Sequence, residues 1–414
     1  VYFEWNPKDE LGPSTFYWQK GMSTPEKASP KEAVFSRLDF KTKPGSDLVY
    51  YLDNGSLFSY SIQSKTIKKL IQQSSKLSNL QLGAQAGVLF YEQNDNIFKY
   101  DTKAGTILQI TNFSKGIKRD VKEDTESFLA VQQKELFQFI RDKEEKKQWN
   151  LDKSKAVKSD FAKQYFYGND QFAGLQVNPN GNFATFILVE EPEIKREKME
   201  VFITADGYNQ SPETKEKVST KNFVKTKFGI YSVAKDSVYY VNFSTLSHIQ
   251  DTPKYYELYD NLKSKPKEDK LVIPQAPIYN EDGSLAIVEI RSQDNKDRWL
   301  VSLNLEKGIF EEIEHQQDEA WIAGPGIPSY SFSSGNLGFL ADNETIYFQS
   351  EATGYSHLYT LNVKTKKRTQ LTKGNWEVRD LILSKDRKTF YLTTNTTHAG
   401  NREFYKLTAA DGTL

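Results

Sequence analysis

The chain has 414 residues, 55 basic and 55 acidic side chains, and no cysteine. Zero net charge argues against a nucleic-acid binder, which carries a basic excess. The missing thiol excludes disulfides, a cysteine nucleophile and cysteine-ligated metal sites. The length allows two or three ordinary domains or one large all-β domain, and 26 Phe, 23 Tyr and 6 Trp supply large rings for a core.

At the N-terminus, Val1-Tyr2-Phe3-Glu4-Trp5 shows neither a basic segment nor an apolar one of the kind that directs secretion. The longest nearly apolar run, 183–189, is far short of the roughly 20 residues of a spanning helix, so no membrane span is predicted. Short runs rich in β-branched and aromatic residues begin at 48, 88, 128, 183, 238, 285, 346 and 390. They are too short for helices and read as strands, with a mean spacing of about 49 residues. Turn sequences precede several of them: Asn178-Pro179-Asn180-Gly181, Asn280-Glu281-Asp282-Gly283 and Ser384-Lys385-Asp386-Arg387. A second, alternating strand follows most, at 57–62, 97–100, 136–139, 299–303 and 358–361. A third follows at 66–70 and 367–371.

Three or four antiparallel strands per unit, repeated eight times, predict an all-β fold: a β-propeller of eight blades, with seven plus a partial eighth as the alternative. One small sheet cannot cover its own apolar faces, so the sheets stack around an axis, and the rings fill the wedges between them. Residues 1–414 read as one domain, and residues 1–5 are expected to complete the last blade after residue 407. The units starting near 128, 183 and 285 carry inserts. The charge-rich stretches 193–200 and 254–270 read as solvated faces, with a short helical turn at 255–259.

Chemistry is sparse. Gly354-Tyr355-Ser356-His357-Leu358 is the nearest string to a hydrolase elbow, but it lacks the last glycine and lies between strands. The reading is a hairpin connection, with no catalytic residue in the chain. Glu314-His315 with Asp318-Glu319 is the one local group that suggests a cation, and it reads better as a solvated loop. No metal site or cofactor is predicted.

Three motifs near the end are different in kind. They are Ser350-Glu351-Ala352-Thr353-Gly354-Tyr355-Ser356-His357-Leu358-Tyr359, Leu371-Thr372-Lys373-Gly374-Asn375-Trp376-Glu377-Val378 and Arg402-Glu403-Phe404-Tyr405-Lys406-Leu407. Together they resemble the N-terminal propeller of the dipeptidyl peptidase IV branch of the prolyl oligopeptidase family of serine peptidases. In that branch the order is Ser-Glu-x-x-Gly-Tyr/Trp-x-His-Leu-Tyr, Leu-Thr-x-Gly-x-Trp-Glu-Val, then Arg-x-Leu-Tyr. The motif residues Ser350, Glu351, Gly354, Tyr355, His357, Tyr359, Gly374, Trp376 and Glu377 read as structural. Gly354 suits a tight turn, His357 and Tyr359 pack across strands, and Trp376 fills a blade interface.

The resemblance implies a parent protein that continues into an α/β-hydrolase domain carrying the serine, aspartate and histidine, with this chain trimmed from it. It implies a periplasmic or secreted peptidase that acts on peptides and forms a homodimer, the propeller gating or shaping access. The branch's exopeptidases hold the substrate's amino terminus with a Glu-Glu pair about a dozen residues before the Asn178-Pro179 turn. Here Phe166-Tyr167 stand near those positions, and Asp170 is the only acid available for substrate binding. The alternative is a free-standing propeller that binds a peptide, protein or glycan. A third reading is a glycosidase with carboxylates at the axis.

Overall fold

The structure is a computed structural model that describes residues 2–19, 21–117, 145–149, 161–192, 194–217, 223–327 and 334–413. Its strands are short, antiparallel and arranged as successive meanders. Among the described residues seven sheets of three or more strands form the blades, not eight. Blade 1 spans 2–27, blade 2 48–71, blade 3 78–109, blade 4 171–241, blade 5 272–317, blade 6 337–370 and blade 7 378–408.

Three features separate this count from the expected one. The runs at 183 and 238 belong to one sheet: Phe183–Glu190 pairs with Lys225–Ser232, which pairs with Ser237–Val241. The excursion between 190 and 225 separates neighbouring strands by the length of a blade and so mimics a repeat. The runs at 128 and 136 lie outside the described residues. Blade 1 was not among the expected starts. Tyr2–Trp5 does not complete the last blade but pairs within blade 1, with Ser14–Tyr17. Phe35 then bridges blade 1 to blade 2, with ring centroids 5.5 Å from Tyr2 and 5.5 Å from Tyr60.

Strand alternation explains how the blades stack. Side chains of a strand point alternately to the two faces of its sheet. In Phe183–Glu190, Ala184, Phe186 and Leu188 pack toward blade 3, while Ile187 and Val189 pack toward blade 5. In blade 3, Val88 and Phe90 face blade 4, and Leu89 and Tyr91 face blade 2. Blade 5 likewise turns Val288 and Ile290 to blade 4, and Ile287 to blade 6. A strand buried on both faces reads as a nearly continuous apolar run, as 183–189 does with only Thr185 interrupting it.

The turns between first and second strands meet at one end of the ring. Ala84 N–H donates to Pro179 O (2.7 Å), Asn180 Nδ2 to Asp282 O (2.8 Å) and Asn280 Nδ2 to Asn343 O (3.1 Å). Arg387 closes the run of contacts on Asn343 Oδ1 (2.9 Å) and Glu281 Oε2 (2.6 Å). These turns define one end of the molecule, and the opposite end carries the long connections. At 254–270 the connection between blades 4 and 5 holds a short 3-10 helix, Lys254–Leu258, and one helical turn, Asp260–Lys263. Among the described residues no helix is long and apolar enough to cross a membrane.

Candidate functional site

A cavity of about 300 Å³ opens between blades 5 and 6. It lies at the end away from the turn contacts. The fourth strand of blade 5, Ile309–Gln317, brings Glu314, His315 and then Asp318 to it, and the second strand of blade 6, Thr345–Ser350, brings Ser350 and Glu351. Asp170 precedes the first strand of blade 4, Gln171–Val177, so it stands at this same end.

A buried polar framework underlies the cavity. Arg298 and Glu289 are both fully buried and form an ion pair of 2.8 Å. The Arg298 guanidinium also donates to Gln316 Oε1 (3.2 Å) and to the Gln349 carbonyl (2.7 Å). Gln349 in turn donates to Val378 O (2.8 Å) and Ser356 Oγ (3.1 Å), and Ser356 Oγ donates to Pro325 O (2.7 Å). Blades 5, 6 and 7 are thus tied together beneath the cavity by groups with nowhere else to bond.

The wall carries charges of different standing. Glu314, 9% exposed, pairs with Arg368 at 3.2 Å, and the guanidinium lies 4.4 Å from the Tyr359 ring centroid. Burial pushes the Glu314 carboxyl up, and Arg368 opposes that rise. Asp318 Oδ1 accepts the backbone N–H groups of Ala320 (2.7 Å) and Trp321 (2.9 Å). The Glu351 side chain makes no hydrogen bond or ion pair with any described residue. Burial, then Glu377 and Asp318, raise its pKa above the ordinary carboxylate value. His315 Nε2 meets Asp297 Oδ1 at 2.9 Å, and Lys270 also pairs with Asp297. Burial works against the Asp297 charge, but the hydrogen bonds from His315 and Lys270 overcome it and hold that carboxyl below its usual range. The His248 ring stacks on His315 with centroids 4.6 Å apart.

The structure therefore gathers Glu314, His315 and Asp318 at the cavity, while Glu319 turns to Lys254 at 3.6 Å. Among the described residues no group of three or more His, Asp or Glu could hold a metal ion.

The other motif residues lie behind the cavity. Gly354 has φ +91° in a turn whose N–H returns to Glu351 O at 2.8 Å, and Tyr355 is exposed beside it. His357 is buried between Thr372 Oγ1 and the Gly374 carbonyl, each at 3.0 Å, with the Trp376 ring edge-on at 5.2 Å. Gly374 has φ +134°, and a Cβ there would stand 2.3 Å from Trp376 Nε1. Trp376 packs on the core between blades 6 and 7. Tyr359 stacks on Phe348 at 5.8 Å. Glu377 lies 3.7 Å from Arg379, and its N–H donates to Asn395 Oδ1 at 2.7 Å.

Asp170 is already engaged: its Oδ2 lies 3.1 Å from Lys227 Nζ, beside a Tyr165–Tyr240 hydroxyl pair at 2.5 Å. Tyr167 is buried and donates to Asp95 Oδ2 at 3.1 Å. Sequence reasoning missed Lys227, Trp321 and Arg368. Only strand register brings Lys227 to Asp170, and Arg368 sat unremarked in a generic third strand. At the turn end a cavity of about 330 Å³ is lined by turns of five blades. Its one carboxylate, Glu281, is bound by Arg387, so it offers no carboxylate pair for glycoside chemistry.

Seven blades around a common axis and a polar cavity at one end define a β-propeller domain. Residues 170–414 match the family described as dipeptidyl peptidase IV (DPP IV) N-terminal region, and the chain belongs to that family. The fold is shared with the crystal structure of Porphyromonas gingivalis dipeptidyl peptidase 4, at a TM-score of 0.52 and 12% identity. That alignment covers 100% of this chain and 51% of the other. A putative dipeptidyl aminopeptidase IV from Bacteroides ovatus aligns at a TM-score of 0.51 and 13% identity, over 97% of this chain and 50% of its own. The chain thus spans about half the length of these solved structures. The comparison with curated proteins yields no match.

Proposed function

We propose that this propeller receives peptide at the end bearing Asp170 and the cavity between blades 5 and 6, and shapes access to a serine-peptidase domain of a longer protein. The observation that carries the reading is the position of Ser350 and Glu351. The family motif that they open forms the wall of a cavity at the end where Asp170 also stands. The missing Glu-Glu pair argues that selection by the peptide's amino terminus, if kept, runs through Asp170, whose Lys227 partner would have to yield to the incoming ammonium. The same reading makes the parent a periplasmic or secreted homodimer.

The test is to assay this chain and the product of the whole surrounding reading frame on X-Pro and X-Ala chromogenic dipeptides. Activity confined to the longer product supports the reading. Equal activity in the isolated chain contradicts it, as does a frame with no hydrolase domain.

A further inference from the structure

We propose that the cavity between blades 5 and 6 is a subsite for the cationic side chain, lysine or arginine, of a bound peptide, with Glu351 holding the charge. This rests on the peptide-receiving reading above and adds the chemistry of one side chain to it.

The carboxylates of the wall are not equivalent. Glu314 is neutralised by Arg368, and Asp318 is spent on the backbone of Ala320 and Trp321. Glu351 alone of the three has no partner among the described residues. It stands close against the backbone of Gly324. Gly324 lies so close that a Cβ there would stand 2.1 Å from Glu351 Oε1, and its φ of +115° suits glycine. A partly buried carboxylate, crowded by Glu377 and Asp318 and lacking a cation, carries a desolvation cost that an arriving ammonium or guanidinium offsets.

A second polar group with a donor to spare lies on the same wall. Ser350 is 1% exposed and lines the cavity. Its hydroxyl accepts the Ala352 N–H at 3.3 Å, and among the described residues nothing accepts its own proton. Trp321, 46% exposed, offers an aromatic surface to the aliphatic stem of a long basic side chain. Volume, free carboxylate and aromatic rim together fit a long cationic side chain rather than an acidic or a short one.

The experiment is isothermal titration of this chain with hexapeptides that are identical except at one position, which carries lysine, norleucine or glutamate in turn and is moved along the peptide. Norleucine keeps the stem and removes the charge. At one position lysine is expected to bind at least about tenfold more tightly than norleucine, the size of a charge-assisted hydrogen bond. Glutamate is expected to bind most weakly. Glu351→Gln should erase the lysine preference, and an unchanged urea-unfolding midpoint shows that the variant is folded. Equal binding of lysine and norleucine peptides at every position overturns the cationic subsite and leaves peptide reception standing. A lysine preference that survives Glu351→Gln overturns the role of Glu351. Failure of every peptide to bind overturns both readings.

Discussion

His357 sits between two fixed partners. Gly374 O can only accept, so Nε2–H donates to it, and Nδ1 then accepts from the Thr372 hydroxyl. This suits the neutral ring, and burial pushes its pKa below the ordinary imidazole value. The sign follows. As pH falls through about 6.5 the unfolded chain takes up its proton first and the native state later, so stability is full above that value and lost as pH falls toward the folded one. Denaturant unfolding between pH 7.5 and 5 should show this loss, and His357→Gln should flatten that part of the profile. An identical profile in the variant would deny His357 the role. The Arg298–Glu289 pair is a second residue-scale case. Removing one partner strands a buried charge, so Arg298→Met should cost about 3–5 kcal/mol in urea unfolding. Pairing it with Glu289→Leu should recover much of that, and an additive double variant would contradict the coupling.

Among the elements, the two central strands of blade 4 pack closely. Gly229 faces Phe186, and a Cβ at 229 would stand 2.4 Å from Phe186 Cζ. Phe186 cannot retreat, because Phe113 and Phe172 hold it at 5.0 and 5.1 Å. Gly229→Ala should therefore destabilise by about 1–3 kcal/mol, the usual cost of overpacking, and a neutral change in unfolding midpoint would contradict the packing described. The same blade shows what was legible in the sequence and what was not. The run at 183–189 is apolar and β-branched because both faces are buried, so its strand was readable. Its membership was not, because the excursion from 191 to 224 imitates the spacing of a new blade. Blade 1 escaped notice because two of its strands are four residues long and the third is two, with half-exposed rings. At the site, Ser350 and Glu351 were visible as a motif. The pairing of Asp170 with Lys227 was not, because it depends on a register between strands 57 residues apart in sequence.

For the whole molecule, the propeller has two unlike ends. One is tied together by turns that bond to their neighbours and by the Arg387–Glu281 pair. The other holds Asp170, the long connections and the cavity whose Glu351 carboxylate has no partner among the described residues. Ligand reception belongs at the second end, where the family motif of Ser350 and Glu351 forms a cavity wall. Hydrogen exchange of the chain with and without saturating lysine-containing peptide tests this most directly. The account predicts slowed exchange at 314–321 and 350–352, and none at the turns 178–181, 280–283 and 384–387. Slowing confined to those turns, or absent from both ends, would contradict it.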